Sequence, residues 1–265
     1  MKSLFSVAAL AAMMVLGAQA LVGGPGQGAA PAGAVAVKDE PHHHLLLEND
    51  YVHVYRFELA PHGAALLHVH ALPYLGIALG PADYVNAVAG KPEAHATLED
   101  AQISYSKGGF AHLVRTETDT RFYNFTIELL KPQGTPRNRC NKVLADGPLD
   151  CPVEAAGKPA AGMPAFETDG VLLETVGIPA GPTYKLEAAS TPRLILVMED
   201  SEVSVAERGA KPKKLHGEEC YWLAGGASAE IDNLAKAKTT GKGKEKKTEE
   251  PGLARVYVLV FKGGA

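Results

Sequence analysis

From Leu45 onward the chain is written in short runs of apolar, aromatic and β-branched residues, each cut off by a turn signal. Tyr51–Leu59, Ala65–His70, Tyr74–Leu79, Ala101–Tyr105 and Arg121–Leu130 follow one another with Gly, Pro, Asn and Asp in between. Runs of this length and spacing bury themselves as antiparallel strands of a sandwich or barrel. The 28 glycines and 18 prolines supply the turns of such a fold and would break a helical bundle. The 265 residues, 46% of them hydrophobic, suffice for one large β domain or two small ones.

The text then repeats itself. Leu45-Leu46-Leu47-Glu48 matches Val171-Leu172-Leu173-Glu174, and Pro73 to Leu79 matches Pro192 to Met198. Leu98, Tyr105 and Gly108-Gly109 match Leu215, Trp222 and Gly225-Gly226, and Arg121-Phe122-Tyr123 matches Arg255-Val256-Tyr257. Matches in one constant order indicate duplication of a β domain. The expected organisation is therefore a β unit over 45–130 and a second over 169–265. A Pro/Gly/Ala-rich linker over 131–168 joins them. An insertion around Lys236–Gly252 in the second unit interleaves lysines with Gly, Thr and Glu. It reads as a solvated mobile loop rather than a polyanion site, because its charges are mixed and it lacks aromatics.

Residues 1–20 are expected to be a signal peptide: Lys2, an apolar stretch from Leu4 to Leu16, then Ala18-Gln19-Ala20. The apolar stretch is short for a membrane span, and no later run reaches spanning length. Residues 21–44 read as a flexible lead-in, with His42-His43-His44 a solvated tract at its end. Cys140 and Cys151 sit close together in the linker, as expected of a disulfide in a secreted or periplasmic chain. Such a short loop is worth on the order of 3 kcal/mol in the chain-entropy model. Cys220, two residues before Trp222 and with no basic partner in view, reads as a buried free thiol rather than a nucleophile. A formal charge of −4 disfavours nucleic acid as a partner.

His68-Val69-His70 carries the chemistry. In a strand, residues two apart face the same side, so both imidazoles enter one space. The run around them is apolar, so that space is the interior. Two inward histidines are costly to bury without a shared partner, and a metal cation is an economical one. His53, His62, His95 and His216 are isolated and read as surface or loop residues. No nucleophile elbow and no phosphate-binding Gly-rich loop is present, which disfavours acyl transfer and nucleotide chemistry.

The segment Gly63-x4-His68-x-His70-x3-Tyr74-x5-Gly80, followed by Lys107-x-Gly109-x2-His112, resembles the two motifs of the cupin superfamily. The resemblance covers roughly 45–130 and extends more weakly to 171–262. It implies an all-β chain of two tandem cupin-type jelly-roll barrels. It also implies one divalent metal ion (Zn, Fe, Mn, Ni or Cu) held by His68, His70 and His112. Tyr74 stands where the family has a Glu ligand, and reads as an orienting or substrate-contacting hydroxyl, with ligation the alternative. Glu187, Ala189 and Ala229 stand at the corresponding places of the second unit, so its barrel is expected to hold no metal. The family includes dioxygenases, isomerases and decarboxylases, which makes a metal-dependent enzyme on a small molecule the first expectation. A non-catalytic small-molecule-binding or structural bicupin is the second. The expected partners are that small molecule and, at most, a second copy of the chain as a homodimer.

Overall fold

The computed structural model describes residues 31–152, 162–240, 247–249 and 251–263. The expected signal peptide lies outside them. Among the described residues the regular structure is strands apart from one 3-10 turn, Val37–Asp39, and no helix is long and apolar enough to cross a membrane.

Each half is a pair of sheets with the same strand order. In the first half the outer sheet runs Val35–Ala36, His68–His70, Phe110–Arg115, Ala82–Val88, Ala94–Leu98. Its inner sheet runs His43–Glu48, Val52–Leu59, Phe122–Leu129, Tyr74–Ala78, Ile103–Ser106. The second half repeats this with Tyr184–Leu186, Ala229–Asn233, Glu202–Glu207, Lys213–His216 outside. Met163–Glu167, Val171–Ile178, Ala254–Phe261, Arg193–Val197, Cys220–Leu223 lie inside, with Arg137–Asn138 added at the edge. These are two jelly-roll units, as expected, although neither pair of sheets closes into a continuous barrel. Each unit is thus an open, two-sheet barrel.

The two inner sheets stand back to back. Val52, Leu75, Phe125 and Ile127 from the first join Leu173, Leu194, Leu259 and Phe261 from the second in one buried cluster. Alternation explains this: along Phe122–Leu129 the odd residues enter the shared layer, and the even ones enter the first barrel. Tyr51 packs on Trp222 and Phe261, with ring centroids 5.5 and 5.2 Å away. The Tyr257 hydroxyl donates to the Ala101 carbonyl at 2.7 Å. Arg56 pairs with Glu218 at 3.1 Å and Arg121 with Glu199 at 2.6 Å, both between the halves. The Gly108-Gly109 turn leads into Phe110–Arg115, and both residues have positive φ (70° and 80°). A β-carbon on Gly108 would also collide with the Leu72 backbone, so glycine is required there.

Several expectations need correction. The lead-in is ordered from Val35, which pairs with His68 as Ala36 does with Val69. His43 is a buried strand residue, because in an extended strand only alternate side chains of His42-His43-His44 share a face. The linker supplies two strands of the second inner sheet, Arg137–Asn138 and Met163–Glu167. It also holds the Cys140–Cys151 disulfide, while Cys220 is free and half-buried. Part of the Lys-rich insertion forms a ribbon, Lys238–Thr240 paired with Lys247–Glu249. The Leu45–Glu48 and Val171–Glu174 segments are not equivalent: the first lies on the strand before Val52–Leu59, whereas Val171–Ile178 is the counterpart of Val52–Leu59 itself. The Arg121–Tyr123 and Arg255–Tyr257 match slips by two residues, because Val256 stands across from Val197 as Asn124 does from Ala78.

Candidate metal centre

His68–His70 is a three-residue strand between Val35–Ala36 and Phe110–Arg115. Its burial alternates, with His68 and His70 inward and Val69 half-buried. The register sets His68 directly opposite His112. The sheet thus brings together three imidazoles from two strands, each no more than 8% exposed. His68 Nε2 lies 3.2 Å from His70 Nε2, and the His112 ring centroid is 4.6 Å from that of His68 and 5.1 Å from that of His70.

Hydrogen bonds set which nitrogen of each ring faces the cluster. His68 Nδ1–H donates to the Leu66 carbonyl at 2.8 Å, and His112 Nδ1–H donates to Asn86 Oδ1 at 2.8 Å. Both assignments leave Nε2 unprotonated and free to coordinate. His112 Nε2 and His70 Nδ1 are buried with no hydrogen-bond partner. Burial, with lesser effects from neighbouring histidines, pulls the imidazoles well below the usual histidine range: His68 to about 4, His112 to about 3 and His70 to about 2. They stay neutral at ordinary pH, the form a metal requires.

A fourth histidine was missed. His43, rather than His112, completes the trio in which one ligand atom from each residue, with His68 and His70, lies within 4.8 Å of the others. Its Nδ1–H donates to Glu40 Oε2 at 2.8 Å. Glu40, 1% exposed, also accepts from the His42 ring (2.8 Å), the His42 N–H (2.9 Å) and the Leu66 N–H (3.2 Å). Burial alone would raise its carboxyl pKa, but bonds from His43, His42 and Leu66 bring it down to about 2, so it is ionised. Asn86 was missed as well; nothing in its local sequence marks it, and only the pairing of Ala82–Val88 with Phe110–Arg115 brings it to His112. Glu40 and His43 lie close in sequence, but only the strand His43–Glu48, which turns the middle histidine inward, shows that they meet.

Tyr74 stacks on His70 with ring centroids 4.2 Å apart and planes 25° apart. Burial pushes its phenol well above the usual tyrosine range, so it remains a neutral hydroxyl. Around the histidines is a cavity of about 90 Å³, walled by Phe57, Tyr84 and Phe122 and carrying Ser104, Asn124 and Thr126. A wider cavity of about 610 Å³ lies elsewhere, lined by Met163, Met198, Leu253, Arg255 and Tyr257 among others. It brings together no histidine or acidic group, so the chemistry stays with the histidines.

No family model and no curated protein matches the chain. Solved structures do match it. AerE from Microcystis aeruginosa aligns with a TM-score of 0.53 at 9% identity, covering 84% of this chain and 99% of that one. A salicylate 1,2-dioxygenase variant from Pseudoaminobacter salicylatoxidans, in complex with gentisate, aligns with a TM-score of 0.52 at 11% identity, covering 87% and 76%. The fold is that of the cupins. Within this cupin fold the second barrel differs from the sequence expectation in one detail. Leu186 sits opposite Ala229 as His68 does opposite His112, so the counterpart of His68 is Leu186, not Glu187. Leu186 is buried and Glu187 exposed, as a carboxylate without a partner should be. Either way no ligand set stands there.

Proposed function

We propose that His68, His70 and His112 hold one divalent metal ion and that the protein uses it on a small molecule, as an oxygenase or isomerase of the cupin kind. The observation that carries this reading is the meeting of three buried, neutral imidazoles, with His68 Nε2 3.2 Å from His70 Nε2 and His112 Nε2 buried beside them without a hydrogen-bond partner. A buried nitrogen without a partner is rare, and one set against two close imidazoles calls for a shared ligand. The 3.2 Å between two Nε2 atoms is the separation of two nitrogens bound to one ion at roughly 2.0–2.1 Å each. All-nitrogen donors suit Zn, Fe, Ni, Cu or Mn, so the residues present fit a metal. When bound, such an ion supplies Lewis-acid polarisation or redox chemistry.

The chain's own residues do the rest. Leu66 and Asn86 hold the ligand tautomers, and loss of such partners costs about 10–100-fold in affinity or activity. Phe57, Tyr84 and Phe122 exclude water, while Asn124, Thr126 and the Tyr74 hydroxyl offer hydrogen bonds to a bound molecule. The second reading is a non-catalytic small-molecule-binding or structural protein, which turnover of a small molecule by the metal-loaded protein would exclude. Export to a secreted or periplasmic location is part of the same proposal, supported by the disulfide.

The test is elemental analysis of the full chain purified without chelator or histidine tag. One equivalent of a divalent metal is expected, falling severely in His112→Ala. Stoichiometric metal surviving His112→Ala would end the three-histidine reading.

A further inference from the structure

A divalent ion among neutral imidazoles would sit in a buried site with no carboxylate ligand, since Tyr74 occupies the place of the family's Glu. Isolated buried charge is expensive, so a compensating anion should be near. Among the described residues, one buried carboxylate meets a histidine of the cluster through its ring nitrogen: Glu40, reached through His43. The His43 ring is 4.9 Å from His68 and 5.8 Å from His70, centroid to centroid. With Nδ1–H turned to Glu40, the remaining nitrogen is Nε2, and carboxylate–histidine–metal chains are built in this way. The segment is locked in place. The Val35–Ala36 strand pairs with His68–Val69, the 3-10 turn follows it, and the Leu66 N–H ties Glu40 to the approach to the His68 strand.

We propose that His43 is a further ligand of this ion, and that Glu40 orients its ring and supplies the negative charge that Tyr74 does not. The charge missing from the metal's own shell is moved one residue outward and one strand away. This rests on the metal reading above, and the closing experiment separates the two. A neutral nitrogen donor set backed by a remote carboxylate favours borderline and soft divalent ions such as Cu(II) and Zn(II) over oxygen-seeking Mg(II).

The experiment uses apo full-length protein titrated with Zn(II) against a chromophoric chelator, and Cu(II) electron paramagnetic resonance to count coordinated nitrogens. His43→Phe keeps a ring against Phe57, now 4.5 Å from His43, without a nitrogen. It is expected to lose one nitrogen from the Cu(II) signal and to weaken Zn(II) by more than about 100-fold, the upper end of effects from outer partners. Glu40→Gln should keep the nitrogen count and weaken Zn(II) about 10–100-fold. His44→Ala, on the exposed face of the same strand, should change neither. Stoichiometric copper with an unchanged nitrogen count in His43→Phe would overturn the proposal. If that variant does not fold, wild-type affinity in Glu40→Gln overturns it instead. Wild-type protein that takes up no metal would bring down the metal reading itself, and this one with it.

Discussion

The two barrels share a strand order but fill their interiors with opposite chemistry. On the inner sheet of the first, Asn124, Thr126 and Glu128 stand across from Ala78, Gly76 and Tyr74. On the second, Val256, Val258 and Val260 stand across from Val197, Ile195 and Arg193. The outer sheets differ in the same way, His68 opposite His112 against Leu186 opposite Ala229. As a result the second barrel has a continuous apolar core from Val176 to Val258, whereas the first keeps only a small one around Phe57, Leu59 and Phe122. The lesson is a division of labour. One barrel gives up apolar burial to house a polar site, and the layer shared with the other holds it folded.

The largest expected effect breaks that shared layer. Phe125 is fully buried in it, and Phe125→Ala should cost about 3–5 kcal/mol. The fluorescence of Trp222, in the other half, should report the same shift in urea midpoint as the far-UV signal. A Trp222 transition unmoved by Phe125→Ala would show that the halves do not lean on one another.

Acid should single out the first barrel. In metal-free protein, His68, His70 and His112 have folded pKa values of about 4, 2 and 3, below the ordinary value of 6.5. The unfolded chain therefore binds protons first, and stability is lost as pH falls below 6.5 towards those values. The slope per histidine is about 1.4 kcal/mol per pH unit. Glu40, at about 2 against 4.5 unfolded, adds to the loss below pH 4.5. Replacing His68 and His112 by Leu and Ala, the residues at the same places in the second barrel, should flatten the urea-midpoint profile between pH 6.5 and 5. An equally steep profile in that variant would place the acid sensitivity elsewhere.

A swap sharpens the comparison at one position. Val258 is fully buried, and Val258→Thr puts an unpartnered hydroxyl into the apolar barrel at a cost of about 1–3 kcal/mol. At the corresponding place Thr126 donates to Asn124 Oδ1 at 3.1 Å, and Thr126→Val should stay within about 1 kcal/mol. Thermal unfolding of the pair decides it: equal costs would mean the interiors do not differ in polarity as described.

Much of this was legible in the sequence because it depends on short-range rules. Strand periodicity announced the all-β fold, the His68-Val69-His70 alternation announced a shared inward space, and the Pro73–Leu79 and Pro192–Met198 strands are structural counterparts. What stayed hidden depends on pairing between distant strands. The partnership of His112 with Asn86 exists because Ala82–Val88 adds beside Phe110–Arg115. His43 was hidden by its neighbours: three histidines in a row look like a tract until a strand sends the middle one inward. The slip from Leu186 to Glu187 has the same origin, since sequence matching counts residues while the ladder to Ala229 sets which one faces in.

The smallest expected effect concerns Tyr74, the one site position where the second barrel places a charge, Arg193, on the same ladder. The Tyr74 ring lies flat on His70, so its packing comes from the ring face and its hydroxyl is incidental to that contact. A phenol this deeply buried resists ionisation and is a weak ligand in its neutral form. Tyr74→Phe keeps the ring and removes only the hydroxyl, so folding stability should move by no more than about 1 kcal/mol. Zn(II) affinity should fall by no more than about 10-fold, the lower end of outer-partner effects. Any larger consequence should appear in the binding of a small molecule, where the hydroxyl would be missed. Loss of metal in Tyr74→Phe equal to that in His112→Ala would make Tyr74 a ligand after all. The first barrel would then have kept an oxygen donor where the family has its Glu, and the charge argument for Glu40 would lose its premise.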